Sequence, residues 1–125
     1  MKALHRWRDE SGATALEFAL TAPAFFLLLF GIIEAGLLFW TQLGLQHGAE
    51  LAARCATVNR TICSDANATT TYATQQALGL TLPAGTFTYS SPSCGNQVSG
   101  SYSFPLPGFL GVGPITLAAQ ACFPA

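Results

Sequence analysis

The sequence predicts an α+β chain: a long N-terminal transmembrane helix extending into a small extracytoplasmic domain with a short helix and a three-stranded antiparallel sheet. Three observations carry that expectation. Residues 18–33 pass without a charge, and apolar character resumes through Trp40. Every Asp, Glu, Lys and Arg lies between Lys2 and Asp65, so residues 66–125 have no ionisable side chain except tyrosine and cysteine. Beyond residue 85, three segments alternate apolar and polar residues with the period of a strand. With 125 residues the chain holds one small domain at most. Half of its residues are hydrophobic and 9% are charged, where an ordinary soluble domain is about a quarter charged. A disordered chain would need low hydrophobicity instead.

Residues 1–12 form a short leader in which Lys2, Arg6, Arg8 and the starting amine outnumber Asp9 and Glu10. Residues 15–40 would make roughly 39 Å of helix at 1.5 Å per residue. A hydrocarbon core of about 30 Å needs around 20 residues, so the run suffices for a tilted span, with Trp40 at an interface. Basic residues beside a first span hold that end in the cytoplasm. The remainder then lies across the membrane, where Cys55, Cys63, Cys94 and Cys122 meet an oxidising compartment. Two rival readings of the run are a core helix of a soluble protein and a secretory signal peptide. Residues 41–125 carry too few charges to cover such a helix in water. Ala22-Pro23-Ala24 has the form of a cleavage site, but it precedes the most apolar stretch, so a cut there leaves residues 25–40 attached.

Glu17 stands at the start of the apolar run, where an acid deep in a bilayer costs about 2.5–3.5 kcal/mol. Five residues before it is Gly12, which follows the basic leader and precedes Ala13-Thr14-Ala15-Leu16. A basic leader, a terminal glycine and an apolar helix with Glu as its fifth residue resemble the type IV prepilin signal. Residues 12–34, with Arg54 closing an Ala-rich helix, resemble the TadE-like pseudopilins of tight-adherence (Flp) pilus systems. That resemblance covers residues 12–54, and the long segment beyond favours the minor, TadE-like class over the shorter major pilins. It implies a membrane-embedded prepilin peptidase cutting between Gly12 and Ala13. It also implies other pilins or pseudopilins and inner-membrane pilus assembly proteins as partners, with membrane lipid around the helix. The chemistry agrees with a role for Glu17 in charge pairing during assembly. Cleavage creates an ammonium at Ala13, four residues upstream at helical spacing, and that amine or a neighbouring subunit's neutralises Glu17. The alternative is a headgroup-level Glu that snorkels to water. Glu34, roughly 25 Å further along a helix, reads as a boundary residue at the outer interface.

The long helix is expected over residues 13–56, spanning the membrane to about residue 40 and leaving residues 57–125 as the extracytoplasmic domain. Gly36, Trp40, Gly44, Gly48, Ala52 and Ala56 recur every fourth residue, and Gly44 and Gly48 form a small-x-x-x-small pair that admits close helix packing. Leu38, Leu45, Ala49, Ala52 and Ala56 make an apolar stripe. Packing within the subunit and packing between subunits fit that pattern equally. Ser64 or Asp65 caps a second helix running through Thr69, Tyr72, Gln76 and Ala77 and stopped by Gly79. Strands follow at 86–90, 98–104 and 115–122. The loop at 105–114 is uncharged, with Leu106, Phe109, Leu110 and Val112 among three prolines and three glycines. Phe109 is the expected anchor if the loop meets a partner or the outer leaflet; closing the small core is the equal alternative.

Four cysteines allow three pairings, of which Cys55–Cys63 with Cys94–Cys122 is the most local. No C-x-x-C spacing suggests zinc, and no metal or cofactor is expected. The matches at Asn59-Arg60-Thr61 and Asn67-Ala68-Thr69 to a glycosylation sequon are too short to carry weight. General acid–base chemistry draws on His, Asp, Glu and Lys, which residues 66–125 lack, so no enzymatic activity and no small-molecule substrate are expected. A net charge of −1 gives no reason to expect nucleic acid. The reading is a TadE-like minor pilin in the bacterial inner membrane, single-pass, with a cytoplasmic N-terminus. The alternative is an uncleaved single-span protein whose extracytoplasmic domain binds an envelope partner.

Overall fold

A computed structural model of the chain describes residues 10–108 and 111–125, with side chains described from residue 12 onward. The basic leader residues Lys2, Arg6 and Arg8, and the loop residues Phe109 and Leu110, lie outside the described residues. The elements in order are α1 (Glu10–Val58), α2 (Ala66–Gln75), β1 (Phe87–Ser90), β2 (Asn96–Phe104) and β3 (Ile115–Phe123). The chain divides into two compact units, Met1–Ala35 and Gly36–Ala125.

Among the described residues of the first unit everything is α1. Leu, Phe, Ile and Ala dominate it, and its apolar side chains are exposed on all sides of the helix. Pro23 lies inside the helix and has no N–H to donate to the Ala19 carbonyl one turn back. Two residues earlier, the Thr21 hydroxyl donates to the Glu17 carbonyl at 2.9 Å, a back-bond common to threonines in helices.

The second unit is an α+β domain in which α1 from Gly36 onward packs with α2 and the sheet. The sheet is antiparallel in the order β1-β2-β3, with Phe87 opposite Gly100 and Gly100 opposite Ala119. Alternation sends Phe87, Val98, Phe104, Leu117 and Ala119 to one face, where they are buried with Leu45, Ala49, Ala52 and Ala53 of α1 and with Ala73 and Ala77. The period of two on the sheet meets the 3.6-residue stripe of α1. Because the helix side of this core is mostly alanine, the larger side chains come from the sheet. Leu38 and Leu106 flank the same cluster.

Element ends depart from the sequence expectation where a side chain or a backbone angle decides. Asp65, not Ser64, caps α2: its backbone is extended and its Oδ1 accepts the Ala68 N–H at 2.8 Å. The helix stops at Gln75, earlier than Ala77, because Leu78 and Gly79 take φ values of 52° and 77° in succession. The chain must leave helical geometry before the first of them. β1 starts one residue late, since the Thr86 hydroxyl turns back to the Pro83 carbonyl at 2.7 Å. β2 starts two residues early, at Asn96, whose side chain is buried and partnered.

Candidate functional site

The N-terminal part of α1 brings together Gly12, Ala13 and Glu17 on one helix. All three are exposed, and a methyl group added at Gly12 would meet nothing within 4 Å. Helical spacing puts Glu17 one turn after Ala13. From Phe18 to Ile33 the exposed surface is Leu, Phe and Ile, with the rings of Phe25 and Phe26 edge-on at 5.6 Å and those of Phe26 and Phe30 stacked at 6.4 Å. A helix apolar on every side suits lipid or a bundle core rather than water. By length and composition α1 is long and apolar enough to cross a membrane. Glu34 is half-buried and Trp40 is 52% exposed.

Further along α1 the small residues meet their own chain. A methyl group at Gly44 would stand 2.5 Å from Leu80 Cδ1 and 2.9 Å from the Ala77 carbonyl oxygen. One at Gly48 would stand 2.6 Å from the Ala73 carbonyl oxygen and 3.1 Å from Phe87 Cζ. Gly36, on the same ridge, has nothing within 4 Å. His47 Nδ1 donates to the Gln76 carbonyl at 2.9 Å, tying α1 to the end of α2. A carbonyl only accepts, so that nitrogen carries a proton.

Two disulfides close the domain. Cys55–Cys63 joins the end of α1 to the segment before α2, with Cα atoms 5.9 Å apart. Cys94–Cys122 joins the β1–β2 connection to β3 across 6.3 Å. None of the four cysteines is free.

Two polar links were not singled out from sequence. Asn96 accepts the Tyr89 hydroxyl at 2.6 Å and donates to the Thr57 hydroxyl at 2.9 Å, fastening the sheet to α1. Gln42 Nε2 donates to the Ala118 carbonyl at 2.8 Å, joining α1 to β3. The available signal for Gln42 was its position one turn after Leu38 and one turn before Gln46. An open groove of about 400 Å³ lies between Gln46, Glu50, Leu51 and Arg54 of α1 and residues 120–123 of β3. In the 105–114 loop, Leu106 packs on the core and Val112 is 54% exposed.

The arrangement offers packing surfaces and covalent staples. Among the described residues no group of three or more His, Cys, Asp or Glu could hold a metal ion, and every buried side-chain polar atom has a partner. No curated protein and no solved structure matches the chain. The family model described as TadE-like protein matches residues 12–54, and the chain is therefore similar to TadE-like proteins over the long helix, from Gly12 to Arg54.

Proposed function

We propose that this chain is a TadE-like minor pilin, or pseudopilin, that takes part in assembling a tight-adherence (Flp-type) pilus. The observation that carries the reading is the family match that begins at Gly12, with Glu17 five residues on and an unbroken apolar helix behind it. In this reading a prepilin peptidase cuts after Gly12 at the cytoplasmic face of the inner membrane. The new Ala13 amine and the Glu17 carboxylate, one helical turn apart or on neighbouring subunits, cancel each other in low dielectric. The exposed Phe and Leu surface exchanges lipid for neighbouring pilin helices and pilus assembly proteins. The extracytoplasmic domain carries no chemistry of its own; it supplies shape, held by its disulfides.

N-terminal sequencing of the protein extracted from membranes of cells that carry the peptidase tests this directly. Ala13 is the expected first residue, and Gly12→Leu is expected to retain the leader. A starting residue other than Ala13, or normal trimming of Gly12→Leu, would overturn the cut and favour the uncleaved single-span alternative. Glu17→Ala should still insert and be trimmed, yet fail to co-purify with its pilus partners; undiminished co-purification would make the carboxylate a bystander.

A further inference from the structure

The two outer strands of the sheet leave very different edges. β1 has four residues, whereas β3 has nine, with no charge or proline among them to blunt its edge. The ladder decides which groups that edge presents. The Ser101 N–H donates to the Thr86 carbonyl at 2.9 Å, on the β1 side, and Ser101 lies opposite Ala118. Ala118 therefore turns its own N–H and C=O away from β2, and its carbonyl accepts Gln42 Nε2 instead. With a period of two, Gln120 and Cys122 turn outward as well. Among the described residues, no hydrogen bond other than that of Gln42 reaches this edge.

Gln42 closes the edge at one point, and the groove opens past it. Gln46, Glu50 and Arg54 follow Gln42 at four-residue spacing and line the groove with residues 120–123. β3 and this part of α1 thus run side by side in the same sense. Gln46 does not repeat the Gln42 clasp, because its amide donates to Glu50 Oε1 at 2.7 Å. Glu50 and Arg54 are exposed, and the Arg54 guanidinium has no partner among the described residues. On its other side β3 is paired with β2 as far as Phe123, opposite Asn96, and the Cys94–Cys122 bridge pins that end. The edge is therefore a template set in advance of any partner.

We propose that β3 takes an extended segment of a partner protein as a fourth strand at Gln120 and Cys122, with its inward side chains over Glu50 and Arg54. The backbone selects the class of ligand, since unpaired N–H and C=O groups at strand spacing match another strand. Charge selects its side chains. Glu50 and Arg54 stand about 6 Å apart along the helix, and side chains two apart on a strand stand about 6.8 Å apart. An antiparallel segment, the better-paired sense, meets Arg54 before Glu50, so its sequence reads acid-x-base. The site goes beyond the pilin reading and requires neither the cut at Gly12 nor a filament.

The test uses the full chain in detergent micelles with its disulfides closed, and the acetylated, amidated peptide Val-Thr-Glu-Thr-Lys-Thr-Val. Amide hydrogen exchange is followed residue by residue by NMR. Without peptide, the N–H groups of Gln120 and Cys122 should exchange far faster than those of Ala119 and Ala121, which face β2. Peptide at millimolar concentration should slow Gln120 and Cys122 about tenfold. The peptide with Glu and Lys exchanged should bind about fivefold more weakly, the factor that two exposed ion pairs supply. That order should reverse for the double variant Glu50→Lys, Arg54→Glu. Gln120→Pro removes an outward N–H and leaves the β2 ladder intact, so it should keep the melting temperature and lose the peptide. Peptide binding that survives Gln120→Pro, or a fold that does not, would overturn the proposal. Slow exchange at Gln120 and Cys122 without peptide would do the same by showing the edge already closed, and protection that grew with protein concentration would make a second copy the occupant. No protection at millimolar peptide would overturn it outright.

Discussion

A methyl group on Gly48 would be pressed against the Ala73 carbonyl oxygen at 2.6 Å, an atom fixed in the backbone of α2. Replacing a helical glycine by alanine normally gains about 1 kcal/mol, but overpacking a core costs about 1–3 kcal/mol. Since a carbonyl inside a helix has no rotamer in which to escape, the clash outweighs the propensity. Gly48→Ala is expected to lower the melting temperature of the domain, whereas Gly36→Ala, with open space around it, is expected to leave it unchanged or raise it; thermal unfolding of the two variants side by side checks the sign. Small residues at every fourth position were legible in the sequence. The partner they admit was not, because the spacing is the same for a neighbouring subunit and for the subunit's own α2. Asn96 was illegible for a related reason: asparagine after glycine reads as a turn, and only the Thr57 and Tyr89 hydroxyls brought in from other elements make it a strand residue.

At the level of elements, what could be read in advance was periodicity, and what could not was where each period stops. The α+β order, with a long helix, a short helix and three antiparallel strands, follows from the 3.6-residue stripe of α1 and the alternation of the strands. Ends were set by single groups: the Asp65 carboxylate at the start of α2, the left-handed Leu78 after its end. Asp65→Ala removes the acceptor for the Ala68 N–H and is expected to cost about 1 kcal/mol of domain stability, measurable as a shift of the urea midpoint at constant slope. Local pairing of the cysteines was the simplest of three possibilities on spacing alone, and the structure holds Cys55–Cys63 and Cys94–Cys122. Peptide mapping without reduction should recover those two linked pairs, and alkylation of any cysteine before reduction would contradict them.

At the scale of the whole molecule, one helix carries an exposed apolar stretch and a buried one. The apolar surface of α1 before Trp40 is exposed, while beyond it Leu45, Ala49, Ala52 and Ala53 are core residues of the second unit. That domain has no core without them, since α2 and the sheet share their buried face with this stretch. A fragment of residues 41–125 is therefore expected to unfold cooperatively on heating, and one of residues 57–125 to show no transition, as read by circular dichroism. A cooperative transition in the shorter fragment would show that the sheet and α2 suffice. The sequence made the apolar run and the charge-poor second half plain, because both are sums over many residues. The Gln42–Ala118 bond joins one glutamine amide to one backbone carbonyl, and no pattern in the sequence encodes that pairing.

The place of the core-forming half of α1 in the chain has a consequence for synthesis. Residues 45–53 leave the ribosome well before Leu117 and Ala119, with which they are buried. At 5–20 residues per second the roughly 70 intervening residues take about 4–14 s. On the proposed topology, that interval passes with the helix inserted and the rest of the chain still being exported. The Cys55–Cys63 bridge can close early in it, but Cys94–Cys122 waits for β3 to cross. On that topology export handles an unfolded chain, and a truncated translation product lacking β3 would leave the stripe of Leu45 and Ala49 uncovered, a ready signal for proteolysis.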